Sequence, residues 1–313
     1  MALTDGLFAA KPLFSVKAER ITAVTPDPKA RMRSASPSGK QMSIPIDDAD
    51  DPRIEAFRHI RERDLVGRDG RFIAEGKVVL RVLLAQMPEQ LEALLVLENR
   101  MQGLEDVLAR LPGGIPVYAA TANVMDAIAG FHMHRGVLGI ARRRPDSPVS
   151  EFLAQPPPDA LIVVLSGISN HDNMGAIFRN AAVFEADAVI VDGQCCDPFY
   201  RKSIRVSVGA VLQVPVFQAS SLSGLCADLT AAGFQLGALS PKGSASIERF
   251  AKTGRRALIL GAEGGGLPES ILHAVPSFKI PMSEAFDSLN VATASGIALY
   301  HASRFSAPFD PLP

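Results

Sequence analysis

The chain of 313 residues and 33.3 kDa is long for one compact domain and comfortable for two, domains commonly running ~100–200 residues, and its 47% hydrophobic residues and mean hydropathy of +0.16 supply real cores. A formal charge of −1 with a pI near 6.6 excludes a molecule-wide basic field, so any nucleic-acid contact must come from a local patch. Cys195, Cys196 and Cys226 lack metal-ligand spacing and suggest no disulfide framework, and no apolar run reaches the ~18–20 residues of a membrane span, so a cytoplasmic protein with no metal and no membrane segment is expected.

Residues 1–41 read as a flexible basic leader. Lys11, Lys17, Arg20, Lys29, Arg31, Arg33 and Lys40 outnumber Asp5, Glu19 and Asp27 there, without sustained apolar periodicity. Next, Ile44 and Ile46 alternate ahead of an acidic run, and Ile54, Phe57 and Ile60 recur at helical spacing, which predicts a short amphipathic helix. Arg71 to Ala74 read as a strand that passes through Glu75 and Gly76 into a helix with Val78, Val79, Val82 and Leu83 inward. LEALLVL and IPVYAA read as further strands and NVMDAIAG as a helix, so residues 42–144 are expected to form a small α/β layer domain. Over 145–158, Pro145, Pro148, Pro156, Pro157 and Pro158 deny regular backbone hydrogen bonding and mark a proline-rich linker.

Within 159–313, ALIVVLSG and ADAVIVDG are apolar enough to be strands buried on both faces, as in a parallel sheet. VLQVPVFQA, FQLGALS and RALILGAEG follow, with helical stretches such as AIFRNAAVF and LSGLCADLTAAG between most of them, so this second domain is also expected to be α/β with a parallel sheet.

Three segments of the second domain carry candidate chemistry. In SNHDNMGAIFRNAAVF a polar loop leaves a strand and enters a helix that bears Asn173, Gly175 and Arg179; a capped helix with an exposed arginine is the plain alternative. In RRALILGAEGGGLPESIL a buried strand runs into Gly261, Ala262, Glu263, Gly264, Gly265 and Gly266, then a helix opened by Pro268. That loop matches neither phosphate-cradling glycine pattern, and a carboxylate in it would repel a pyrophosphate while tolerating a positive sulfonium; a purely structural glycine turn is its alternative. In KIPMSEAFDSLNVATASGIALY, Ser288 and Asn290 stand at the mouth of a helix rich in small residues, where Ser288 alone reads as an N-cap.

Taken together and in this order, the three segments resemble the motifs of the SpoU (TrmH-like) RNA methyltransferases, with Asn173, Gly175 and Arg179 in the first, GAEGGGLP as the second, and IPM followed by SLNVATA as the third. Arg205, Ser207, Gly209 and Ala210 also match the family's connecting segment, while Ala292 and Thr293 depart from its frequent Ser-Val. GRFIAEGKVVLRVLL and HMHRGVLGI are similar, more weakly, to the L30e-like substrate-binding domain that often precedes this catalytic domain.

The resemblance implies an α/β protein of the SPOUT class, its C-terminal parallel-sheet domain tied in a trefoil knot and preceded by a small L30e-like α/β domain. It implies S-adenosylmethionine as cofactor, contacted largely through backbone by Gly261, Ile280 and Leu289, with Ala262, Gly264 and Gly266 shaping the loop and Leu239 a lesser contact. The implied reaction is 2′-O-methylation of ribose in tRNA or rRNA, with Arg179, Asn173, Glu263, Ser288 and Asn290 as catalytic residues and a homodimer in which the arginine is lent to the partner's site. An arginine side chain is protonated at neutral pH, so Arg179 is expected to position phosphate and hydroxyl and to stabilise oxyanion more than to act as base.

For RNA binding the expected contributors are the basic leader, Arg142, Arg143 and Arg144, and the segment with His132, His134 and Arg135; a solvated charge run is the plain reading of the arginines. Two other classes compete: a nucleotide-binding oxidoreductase, which would leave the SLN segment unexplained, and a non-catalytic RNA-binding or ribosome-assembly factor that kept the fold without turnover.

Overall fold

The computed structural model describes residues 43–58, 70–129, 136–283, 285–303 and 305. The leader, Ile60 and the stretch with His132, His134 and Arg135 lie outside the described residues.

The first layer is a five-stranded sheet of β1 (Ile44–Ile46), β2 (Arg71–Glu75), β3 (Leu91–Leu97), β4 (Val117–Ala120) and β5 (Val137–Arg142), in the order β1-β4-β3-β5-β2. It is mixed: β4 pairs in parallel with β1 and β3, while β5 runs antiparallel to β3 and β2. Alternation along β3 sends Leu94 and Val96 to one face and Leu95 to the other, each into a separate apolar cluster. Three helices accompany the sheet, α1 (Lys77–Gln86), α2 (Glu105–Leu108) and α3 (Ala122–Ala129). In α1 the buried stripe is Val79, Leu80, Leu83 and Leu84, which turns Val78 outward, 51% exposed, against the expectation from sequence. Ile54 and Phe57 are fully buried in a short 3-10 turn, Pro52–Phe57.

The proline-rich stretch 145–158 is not wholly extended. Val149–Ala154 form helix α4, whose Phe152 packs its ring against Phe217, and Arg255 donates to the carbonyls of Pro156 and Pro157. Prolines at its two ends still break regular pairing, yet the middle is docked by these contacts.

The second layer is a seven-stranded, wholly parallel sheet. Its elements in chain order are β6 (Leu161–Leu165), α5 (His171–Val183), β7 (Ala188–Asp192), α6 (Arg201–Val206), β8 (Val216–Ala219), α7 (Leu222–Ala231), β9 (Gln235–Leu239), β10 (Ala245–Ser246), β11 (Arg256–Leu260), α8 (Glu269–Ala274), β12 (Ser277–Lys279) and α9 (Val291–Ala302). The order β10-β12-β9-β11-β6-β7-β8 puts β6 and β11 side by side at the centre, and every residue of both is buried. This is why their sequences are near-continuous apolar runs. Of VLQVPVFQA only Val216–Ala219 is strand; Ala210–Leu212 form a 3-10 turn after Gly209, whose φ of 85° suits a residue without a side chain.

The two layers meet directly. One apolar cluster runs from Phe72, Leu80 and Leu83 in the first layer to Ile177, Val163 and Leu258 in the second. Around it, Arg201 Nη1 reaches Glu75 Oε2 at 2.8 Å with both side chains largely buried, and the rings of Phe72 and Phe199 lie 5.6 Å apart. Val82 occupies the space over Gly209, where any Cβ would stand 3.1 Å from it.

Candidate active site

The site is built at the carboxyl ends of β6, β9 and β11, the edge where open α/β sheets take ligands. At the end of β6, Ser166 and Gly167 are held by Asp192: Ser166 Oγ donates to Asp192 Oδ2 at 2.6 Å, and the N–H groups of Gly167, Gln194 and Cys195 donate to Oδ1. Burial pushes the Asp192 carboxyl up, but these donors outweigh it and hold the group below its ordinary range. Asn170 then caps α5, its side chain accepting from the N–H groups of Asp172 and Asn173. Gly175 lets α5 lie against α6, because a Cβ there would stand 2.7 Å from Ser203 O.

The glycine loop after β11 folds back on itself. Gly266 N–H donates to Ala262 O at 3.0 Å, closing an isolated bridge, and Gly264 and Gly266 take left-handed φ of 85° and 66°. Gly261 has no room for a side chain, a Cβ there standing 2.5 Å from Gly266 O and from Leu267 N. Across the loop, Leu239 ends β9 and Ile280 follows β12, both half-buried against the main core. Leu289 is 36% exposed on the segment that climbs to α9.

Asn290 joins the three segments. Its side-chain amide donates to Asn173 Oδ1 at 3.0 Å and to Glu263 Oε1 at 2.7 Å, while its carbonyl oxygen accepts from the N–H groups of Ala292 and Thr293. Asn290 is therefore the N-cap of α9, the place that sequence alone had offered to Ser288. Both donors and the acceptor of this amide are in use, so Asn173, Glu263 and Asn290 form a fixed cluster.

Ser288 and Arg179 stand apart from it. Both are exposed, and neither side chain has a hydrogen-bond or ion-pair partner among the described residues. Arg179 follows Asn173 by six positions, which turns it about 120° around α5 from the stripe that meets Asn290. Two residues not singled out from sequence hold this architecture: Asp192, through the bonds above, and Asn180, whose amide donates to Ala292 O and Ser295 Oγ. Asn180 lies seven residues after Asn173, and that two-turn spacing was the signal available for it.

The arginine run does not offer free charge. Arg142 meets Glu92 at 2.6 Å, Arg143 meets Asp146 and Asp197 at 2.7 and 3.0 Å and lies over the Phe199 ring, and Arg144 meets Glu89 at 2.5 Å. An RNA phosphate would have to compete with these carboxylates. Among the described residues no group of three His, Cys, Asp or Glu side chains gathers as metal ligands, and no helix is long and apolar enough to cross a membrane.

Comparison with known proteins gives a consistent picture. Residues 160–300 match the SpoU rRNA Methylase family. An uncharacterized tRNA/rRNA methyltransferase of Mycobacterium bovis is 41% identical over 266 residues, covering 82% of this chain and 90% of that protein. The 23S rRNA (guanosine-2′-O-)-methyltransferase RlmB of Acinetobacter baylyi is 31% identical, covering 71% of this chain and 92% of its own. Among solved structures, the AdoMet-bound rRNA methyltransferase of Sinorhizobium meliloti superposes with a TM-score of 0.73 at 25% identity, over 85% of this chain and 99% of that one. An RNA 2′-O ribose methyltransferase superposes at 0.70 with 28% identity, over 83% and 98%. With the glycine loop, the Asn173–Asn290–Glu263 cluster and the parallel sheet all in the family's order, the chain belongs to the SpoU rRNA methylase family.

Proposed function

We propose that the protein is an S-adenosylmethionine-dependent RNA methyltransferase acting on a ribose 2′-hydroxyl of tRNA or rRNA, with Asn173, Glu263, Ser288, Asn290 and Arg179 as its reaction centre. The observation that carries this reading is the Asn290 amide, which draws the first segment and the glycine loop together at the mouth of the third. The relatives named as 2′-O-methyltransferases support ribose as the acceptor.

The glycine loop fits the cofactor on its own chemistry. Gly261 lets the loop fold back onto Gly266 and Leu267, where a side chain would intrude, and Glu263 would oppose a pyrophosphate but suits a cation. Gly261, Ala262, Gly264 and Gly266 with Ile280 and Leu289 would hold it, Leu239 contributing less. When bound, S-adenosylmethionine supplies a methyl group already activated by its sulfonium, which leaves the protein alignment and proton removal as its tasks. Arg179, being cationic, positions the phosphate and hydroxyl and stabilises the developing oxyanion; Asn173, Glu263 and Ser288 orient the ribose, with Asn290 holding Asn173 and Glu263 in place.

The exposed apolar residues Val183, Ile297 and Tyr300, at 61, 40 and 55%, lie on the paired helices α5 and α9 and support a homodimer that brings Arg179 to the partner's site. The first layer is assigned as an L30e-like substrate-binding domain, and three free cysteines suit a reducing cytoplasm.

The test is incubation of purified protein with methyl-labelled S-adenosylmethionine and total RNA, followed by mapping of labelled nucleotides. Label on ribose is expected. No transfer to any RNA leaves a non-catalytic RNA-binding factor, and label on a base removes the ribose chemistry. Arg179→Ala should lower kcat by about 10²-fold; full turnover would remove its role.

A further inference from the structure

We infer that Asn180 is a positioning residue for this reaction, seating α9 on α5 and thereby fixing the Asn173–Asn290–Glu263 cluster. The inference rests on the reading of that cluster as part of the reaction centre.

Helices α5 and α9 run in the same sense and meet at three levels. Asn173 Oδ1 accepts from Asn290 at 3.0 Å, Asn180 Nδ2 donates to Ala292 O at 2.8 Å and Ser295 Oγ at 2.9 Å, and the rings of Phe184 and Tyr300 lie 6.0 Å apart. Seven residues are two turns within about 20°, so Asn173 and Asn180 share one stripe of α5. The middle level has little slack. Ser295 is fully buried and its hydroxyl also donates to Ala292 O at 2.7 Å, while a Cβ on Gly296 would stand 3.3 Å from Asn180 Nδ2.

Ala292 connects the middle level to the cluster. Its N–H donates to Asn290 Oδ1 and its carbonyl accepts from Asn180, so both ends of one residue in the first turn of α9 are held. The Asn290 amide has no spare group with which to follow a shift: its nitrogen serves Asn173 and Glu263, and its oxygen serves Ala292 and Thr293. A displacement of the first turn therefore moves the cluster, and about 1 Å of misplacement at a reacting centre costs up to ~10²-fold in rate. Asn180 also fixes the part of α5 from which its neighbour Arg179 projects.

The experiment compares Asn180→Ala and Asn180→Asp with the wild type in methyl transfer, measuring kcat, KM for RNA and KM for S-adenosylmethionine. Asn180→Ala should lower kcat about 10-fold with both KM values within about twofold, because only the alignment step is lost. Asn180→Asp keeps the volume but sets a carboxylate oxygen against Ala292 O, so it should fall below Asn180→Ala. In a Ser295→Ala background the effect of Asn180→Ala should shrink, since the two share Ala292. Ile73→Val, buried in the first layer, should lower Tm without lowering kcat well below the melt, which separates positioning from stability. Wild-type kcat in both Asn180 variants beside an inactive Asn290→Ala overturns this inference alone, and so does Asn180→Asp outperforming Asn180→Ala. Full turnover in Asn290→Ala overturns the reading of the cluster and this inference with it.

Discussion

Replacing Gly261 by alanine tests the cofactor loop at its tightest point. The new Cβ would stand 2.5 Å from Gly266 O and Leu267 N, where ordinary contacts begin at 3.4 Å, so the returning strand of the loop must retreat by about 0.9 Å. That retreat stretches the 3.0 Å bond from Gly266 N–H to Ala262 O and drags Leu267, 5% exposed, out of its apolar cluster. Overpacking of this kind costs about 1–3 kcal/mol, and a weakened backbone bond adds about 1 kcal/mol. At about 2–4 °C per kcal/mol for a body of this size, the Tm should fall by roughly 4–16 °C. The same displacement misplaces the backbone groups assigned to S-adenosylmethionine, so its Kd, measured by titration calorimetry, should weaken about 10–100-fold. Gly265→Ala is the internal comparison: its Cβ would meet nothing within 4 Å and its φ is not positive, so its Tm should stay within about 1–2 °C. Equal effects from the two glycines, or an unchanged Kd in Gly261→Ala, would refute the reasoning.

Arg201→Ala strands the Glu75 carboxylate in the contact between the layers and should cost about 3 kcal/mol in urea unfolding, Glu75→Gln costing less; an unchanged midpoint in both would show that the pair does not join the layers. Asp192 is held below its ordinary value of 3.8, so its contribution is present above that pH and is lost as pH falls through the folded value. The Tm gap between wild type and Asp192→Asn should therefore narrow only below about pH 4, and a gap that narrows between pH 5 and 7 would count against the four bonds to the Asp192 carboxylate. Burial raises the Cys195 thiol to about 12 and the Cys196 thiol to about 11, so both should react slowly with iodoacetamide at pH 8 until the protein is unfolded. Stability from these thiols holds below the ordinary value of 9.0 and is lost as pH rises through the folded values, which an alkaline melting series measures.

Much of the second layer was legible in sequence because buried parallel strands leave unbroken apolar runs, as in Leu161–Leu165 and Arg256–Leu260. The site segments were legible too, since glycines and capping residues act on their neighbours. What escaped was decided by distant partners. Arg142, Arg143 and Arg144 look free in sequence, yet their carboxylates are Glu92, Asp197 and Glu89, as many as 55 positions away, with only Asp146 nearby. Asn180 looks like a surface polar residue, and its partners lie 112 and 115 positions on. Val78, Val79 and Leu80 crowd the start of α1, and only packing chose which of them face the sheet and left Val78 outside.

Under the proposed substrate-binding role of the first layer, its contact with the second would bear on target choice. Val82 over Gly209, Phe72 against Phe199 and Arg201 on Glu75 dock the first layer on the second at three points. An RNA held by that layer would then meet the glycine loop at one span, as if between the jaws of a calliper. Selection of a nucleotide would become a matter of distance along the RNA from an anchoring feature, and a change of target would call for a remodelled contact at Gly209 as much as for new side chains at the loop.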